Sequence, residues 1–275
     1  VHSKLTVLFI ALTLLTSAQA HDDAVAHYLA NEGLMVAHGD TKILFDPLFR
    51  ESYGQYRLVP DAMRAALFEG SAPWDGIDAV FISHYHDDHF APDEMLILLR
   101  QQPQLLLFAP RQAVAAMRKF DDDESLFERV TAVNLAYRDA PVSYTRPGLL
   151  IEAVRIPHSG WPDRRTDVEN IAWRVTLDDG PTVLHLGDAD TRDAHFANDP
   201  EYWRQRYPEM AFPPYWFFLS NSGKDVLTTR IRAGHAVGVH VPVSVPQQEN
   251  KRDPALQGVD LFTTPGETRM IDHAH

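Results

Sequence analysis

Ser83-His84-Tyr85-His86-Asp87-Asp88-His89 is the stretch that decides how this chain reads. His84, His86, Asp88 and His89 are all metal-ligating residue types, packed directly after the apolar run Ala79 to Ile82. A run of that kind predicts a buried strand, and a loop at a strand end can turn closely spaced side chains toward one point. Alternate residues of an extended segment share a face, which puts His84 and His86 together. The plain alternative is a solvated polar loop. Such a loop needs charge, but it has no need of three imidazoles and a carboxylate at these spacings. The stretch therefore predicts a metal site.

Composition narrows the kind of site. The chain has 275 residues, 14 histidines and no cysteine. Without thiols there is no disulfide scaffold, no thiol nucleophile, no iron–sulfur cluster and no Cys-ligated zinc, so any transition metal must use nitrogen and oxygen ligands. Hydrophobic residues make up 45% and charged residues 23%, ordinary for a globular protein and unlike a disordered one. The formal net charge of −13 repels phosphate backbones, and no basic stripe offsets it, so nucleic acid is a poor partner and a small-molecule substrate the better one.

Further out, the chain alternates strand-like and helix-like segments. Val25 to Leu29, Leu34 to Ala37 and Lys42 to Phe45 read as short strands with Gly39-Asp40 as a turn, and Pro60 to Phe68, Asp93 to Leu99 and Arg111 to Phe120 as helices. Ala79 to Ser83, Gln104 to Phe108, Leu149 to Ile156, Ile171 to Leu177, Thr182 to Leu186 and Ala236 to Val241 read as buried strands. This pattern predicts a layered α/β domain over residues 21–275. Arg50 to Asp75 and Asp190 to Gly223 fit poorly, being long and rich in proline and aromatics; such excursions often cover a functional site.

His158, Asp188 and His240 each close a predicted strand, as His84 does, and ligand sites in layered α/β folds gather along that edge. His235 competes with His240. The two sit at opposite ends of one predicted strand, roughly 16 Å apart at ~3.3 Å per residue, and consistency with the other strand ends selects His240. His185, inside a strand, reads as a core histidine or one that supports a ligand. His27 is expected to face the core. His38 and His195, like His2, His21 and the tail residues His273 and His275, are expected to be solvated.

The first twenty residues read as an address. Lys4 precedes an apolar run from Leu5 to Leu15, and Ser17-Ala18-Gln19-Ala20 follows with small residues, the pattern of a secretory signal peptide over residues 1–20 cleaved near Ala20. As a membrane anchor the run is too short, at ~16 Å against a bilayer core of ~30 Å, so no stable membrane insertion is expected. Export without disulfides suits a bacterial periplasm or secretion.

Taken together, H-x-H-x-D-H (His84, His86, Asp88, His89), the later His158, the Gly187-Asp188 pair and His240 resemble the metallo-β-lactamase-fold hydrolase superfamily. The similarity extends to Asp46-Pro47, Asn170 and the segment Leu184 to Asp190. It looks most similar to the branch with L-ascorbate-6-phosphate lactonase-like proteins and N-acyl-phosphatidylethanolamine phospholipase D. The resemblance implies a four-layer αβ/βα sandwich with the site at one edge. It also implies His84, His86 and His158 on one metal, Asp88, His89 and His240 on a second, and Asp188 bridging both. Two divalent ions are implied, zinc being the usual occupant, while iron or manganese also suits these ligands.

That set implies hydrolysis of an ester, lactone or phosphodiester by a hydroxide held between the ions, with Asp88 and Asp188 as ligands that also orient it. The alternatives are a true β-lactamase, against which Asp188 argues because β-lactamases of the resembling family carry other residues there, and a non-catalytic metal-binding member of the fold. Ser159 has no evident base partner. The eight aromatics of the 17 residues from Tyr202 to Phe218 divide between core and pocket, and Trp161 is a further pocket candidate.

Overall fold

The computed structural model describes residues 24–272; the leader read at residues 1–20, His2, His21, His273 and His275 lie outside the described residues. The described residues open with two hairpins, in which β1 (Ala24–Ala30), β2 (Gly33–His38) and β3 (Thr41–Phe45) pair antiparallel. Helix α1 (Asp61–Glu69) leads to β4 (Ala79–Phe81), α2 (Pro92–Gln101) to β5 (Leu106–Pro110), and α3 (Arg111–Met117) with α4 (Glu124–Phe127) to β6 (Val130–Val133). These strands continue from β3 in parallel, which requires such crossovers.

The second half is an antiparallel meander of β7 (Val142–Arg146), β8 (Leu149–Arg155), β9 (Ile171–Leu177) and β10 (Thr182–His185). Helices α5 (Asp193–Phe196) and α6 (Pro200–Gln205) precede β11 (Met210–Phe212); α7 (Asn221–Val226) precedes β12 (His235–Ala236), and both strands add in parallel. Finally β13 (Thr268–Ile271) returns to pair with β1. The result is a seven-stranded sheet of order β13-β1-β2-β3-β4-β5-β6 and a six-stranded sheet of order β12-β11-β10-β9-β8-β7.

Burial explains the layering. Phe45, Phe81 and Phe108 of the first sheet meet Trp173, Val175 and Phe212 of the second in one core between the sheets. Leu67, Leu98, Leu99 and Met117 seal the outer face of the first sheet with helices, and Phe196, Trp203, Phe217 and Val226 seal the second. This is the four-layer αβ/βα sandwich. Covered on both faces, β9 is buried at every residue, Arg174 and Thr176 included. Its Arg174 points outward yet is 1% exposed, donating to Glu152 on β8 at 2.6 and 2.7 Å and to the carbonyls of Tyr202 and Arg206.

Two strand readings change. The strand expected over 236–241 shrinks to β12, because the opposing segment carries Pro213 and Pro214; isolated bridges, Pro214 with Val239 and Gly238 with Leu261, replace a ladder. Proline has no N–H to donate, so reciprocal pairing stops there. The short β6, β7, β11 and β13 also escaped the sequence reading. Strands β6, β7 and β13 lie at sheet edges and are half-exposed, so no apolar run marks them. No helix among the described residues is long and apolar enough to cross a membrane.

Candidate metal centre

Strand direction gathers the site. Asp46 follows β3 and the loop carrying His84, His86, Asp88 and His89 follows its parallel neighbour β4. His158 and Asp188 follow β8 and β10, which run the same way because both are antiparallel to β9. A bridge pairs His158 with Ala189, and the Ser159 N–H donates to the Asp188 carbonyl at 2.7 Å, locking these two loops together. Trp173 crosses between the sheets, its Nε1–H donating to the carbonyl of Ile82 at 2.9 Å, two residues before His84.

All seven residues singled out in the sequence converge. The Nδ1 of His86 lies 3.1 Å from His84 Nε2 and 3.2 Å from His158 Nε2. Across from them, His89 Nε2 lies 3.1 Å from His240 Nε2, with Asp88 Oδ2 at 3.7 and 3.5 Å from the two. Ligand atoms within each trio lie within 4.8 Å of one another. Asp188 stands between the trios. Its Oδ2 is 3.1 Å from His158 Nε2, and its Oδ1 is 3.1 Å from His240 Nε2 and 3.3 Å from His89 Nε2.

The supporting contacts aim these atoms. His89 Nδ1 donates to Asp46 Oδ2 at 3.0 Å and His158 Nδ1 to the Ser159 carbonyl at 2.9 Å, leaving the Nε2 lone pair of each directed into the cluster. The same carbonyl contact occupies His158 Nδ1, so it is no base for Ser159 Oγ, 3.3 Å away. Asp46 also accepts from the Ser83 N–H and hydroxyl. Asn170, at the start of β9, donates to the carbonyls of Ile156 and Leu186 and accepts the Asp188 N–H, stapling three strand ends. Gly187 has φ +54, and a Cβ there would collide with Asn170 and Ser83.

Burial strips water from these groups and sets their protonation. Burial, then the neighbouring imidazoles His89, His158 and His86, drives His84 well below its usual range, and burial with His158 brings His86 down to about 4. Both rings are neutral donors of lone pairs at pH 7. Burial alone would lower His240 as well, but the carboxylates Asp188 and Asp88 override it and lift His240 to about 9. The histidines of the second trio thus hold protons at the very atoms a metal would take, which would make ion binding pH-dependent. The donor set fits two divalent ions: buried nitrogens facing one another, and the buried Asp188 Oδ1 without a hydrogen-bond donor.

Residues 41–201 match the family described as the beta-lactamase superfamily domain. The chain belongs to the beta-lactamase superfamily. Among solved structures, the metallo-beta-lactamase fold protein YhfI from Bacillus subtilis superposes with TM-score 0.58 at 17% identity, covering 90% of this chain and 100% of that one. Igni18, a metallo hydrolase from the archaeon Ignicoccus hospitalis, gives 0.57 at 16%, covering 90% and 98%. An isothiocyanate hydrolase from Delia radicum gut bacteria gives 0.60 at 16%, covering 91% and 100%. These likenesses establish the metallo-β-lactamase fold. No curated protein matches the chain.

In this superfamily member the centre opens into a cleft of about 300 Å³. Tyr53, Gln55 and Tyr56 line it from the first excursion and Trp216 from the second, as the composition of those segments anticipated. Tyr56 sets its ring edge-on to His240 at 4.2 Å, and Trp216 does so at 5.2 Å. Arg165 is the one Lys or Arg in the lining. Trp161 packs instead on Tyr137 and His195, and Tyr202, Trp203, Phe212 and Phe217 are core. A larger groove of about 490 Å³ lies apart, its Arg269 already paired with Asp260.

Several histidine readings are refined. His235 is exposed and paired with Asp260 at 2.9 Å, away from the cluster. His185 is buried behind it, stacked on Phe45. His195, expected to be solvated, is 5% exposed: the short α5 turns it inward, where it meets the Tyr137 hydroxyl at 2.8 Å and Asp190 at 3.3 Å. His38 is half-buried beside Asp178, and His27 is half-buried against Trp74 on the helix side of β1.

Sequence reasoning missed Glu32. It sits in the β1–β2 turn, is wholly buried, and places Oε2 3.9 Å from His89 Nδ1 and 3.5 Å from His185 Nε2. Its neighbour Asn31, at φ 49, donates to the Asp88 carbonyl and accepts the His240 N–H, so one turn ties both halves of the second trio. Topology held the clue: β3 ends at the site, so the turn before its antiparallel neighbour β2 must lie at the same edge.

Proposed function

We propose that this chain is a dinuclear metal-dependent hydrolase of esters, lactones or phosphodiesters, exported by the leader read at residues 1–20. His84, His86 and His158 would hold one ion, Asp88, His89 and His240 the other, and Asp188 would be shared. The observation that carries this reading is the placement of Asp188, one oxygen toward each trio. Bound divalent ions, zinc being the first choice among zinc, iron and manganese, would supply Lewis acidity and nucleophilic hydroxide at neutral pH.

The chain's own residues do the rest. Asp88 and Asp188, held at the floor of the cleft, orient the attacking oxygen. Trp216 and Tyr56 give the cleft an aromatic wall beside His240 against which an apolar part of the substrate would pack. Arg165 meets an anionic part of the substrate at the rim. Metal-loaded protein should turn over members of a panel of lactones, aryl esters and bis-aryl phosphodiesters faster than a cephalosporin. Preferential cephalosporin turnover would replace this reading with a β-lactamase, and no turnover at all with a non-catalytic metal-binding protein. N-terminal sequencing of a periplasmic fraction should begin at His21.

A further inference from the structure

Three buried glutamates among the described residues are each compensated by arginine. Glu94 pairs with Arg50 and Arg64, Glu152 with Arg174, and Glu169 with Arg111. Among the described residues only Glu32 has both carboxylate oxygens buried with no hydrogen-bond donor. The nearest N–H groups are already engaged: His89 Nδ1 donates to Asp46, and His185 Nε2 to the Glu32 backbone carbonyl at 3.0 Å. No lysine or arginine among the described residues lies within ion-pair distance of it. An uncompensated buried carboxylate is among the most costly features a fold can carry.

We propose that Glu32 is the outer counter-charge of the metal centre: with Asp46, Asp88 and Asp188 it surrounds two divalent ions with four carboxylates, one negative charge for each positive one. This rests on the dinuclear reading above. Glu32 ligates neither ion. It acts through the local field and through His89, whose Nδ1 side it faces alongside Asp46, and is therefore a positioning residue. Sealed from water, its charge is weakly screened and acts over more than one shell of atoms.

The test is metal affinity rather than turnover. Zinc content and zinc affinity, by competition with a chromophoric chelator, are measured for the native chain, Glu32→Gln and Glu32→Asp, with melting temperatures of the metal-free proteins. The native chain should bind two ions. Glu32→Gln, of the same shape without the charge, should lose about 10–100-fold in affinity, the usual scale for an outer-shell partner. It should melt no lower than the native chain when metal-free. Glu32→Asp should recover part of the loss, which a purely steric role would not allow. Equal affinity in native and Glu32→Gln proteins would overturn the proposal and leave the dinuclear reading intact. So would three ions falling to two, which would make Glu32 a ligand, and so would a Glu32→Gln chain that cannot fold without metal. A native chain binding fewer than two ions would overturn both readings, and is seen before any substitution is made.

Discussion

Glu152 and Glu32 are both buried carboxylates in the same sandwich, and they are treated oppositely. Glu152 lies on the outer face of the second sheet, gripped bidentately by Arg174 directly across the strand pair. Glu32 lies at the sheet edge with no donor at all. The first is charge the protein balances for itself, in a layer where Arg174 of β9 also holds the carbonyls of Tyr202 and Arg206. The second is an acid left without a hydrogen-bond donor on the side facing the histidines. Folding economy explains the first arrangement and not the second, so the edge is where the fold sets stability aside for binding.

The largest break in this comparison comes at the site. Asp188→Ala removes the one carboxylate shared by both trios and should reduce both metal content and hydrolysis to background, read by elemental analysis and by initial rates. Retention of two ions would mean that the trios close without it. The matching break in the structural layer is Arg174→Met. It leaves Glu152 with only the Arg206 Nε at 3.9 Å and should cost about 3 kcal/mol in denaturant unfolding while metal stoichiometry stays as in the native chain. The double change Arg174→Met with Glu152→Leu should recover most of that loss, since a buried pair replaced as a unit is often neutral. If the double variant is as unstable as the single one, the pair is not self-contained and the contrast with Glu32 weakens.

Gly187→Ala tests an intermediate effect. Its left-handed φ and the collision of a Cβ with Asn170 and Ser83 strain the turn that presents Asp188. The expected cost is about 1–3 kcal/mol of stability, measured by chemical denaturation, with weaker metal binding because the strain falls on the turn that presents Asp188.

How much of this was written in the chain follows the same division. Strong local signals read correctly: the buried run of β9, the helices α1 to α3, and the His84 to His89 cluster directly after β4. His240 rather than His235 joins the cluster as expected, although the strand meant to carry it there stops at Ala236. What stayed illegible depends on contacts distant in sequence. Glu32 in Asn31-Glu32-Gly33 looks like any polar turn, and only the return of β3 to the same edge buries it. His195 looks exposed until α5 turns it against Tyr137 and Asp190. Trp216 rather than Trp161 reaches the cleft because the Trp216 indole is pinned to the Ala189 carbonyl at 3.1 Å, beside Asp188.

The smallest expected effect lies at the rim, where charge is exposed and water competes. Arg165 brings a cation to a cleft otherwise floored by Asp88 and Asp188, in a chain of net charge −13. It is solvent-exposed, so its attraction for an anion is screened, and a contact of that kind is worth roughly 1 kcal/mol. Arg165→Gln should therefore lower the ratio of kcat/KM for an anionic ester to that for its neutral counterpart by about three- to tenfold, mostly through KM. Raising the salt concentration should shrink the native chain's preference toward that of the variant. A ratio that does not move would assign anion recognition to the buried ions alone, and would make the rim as indifferent to charge as the Glu152 layer is to metal.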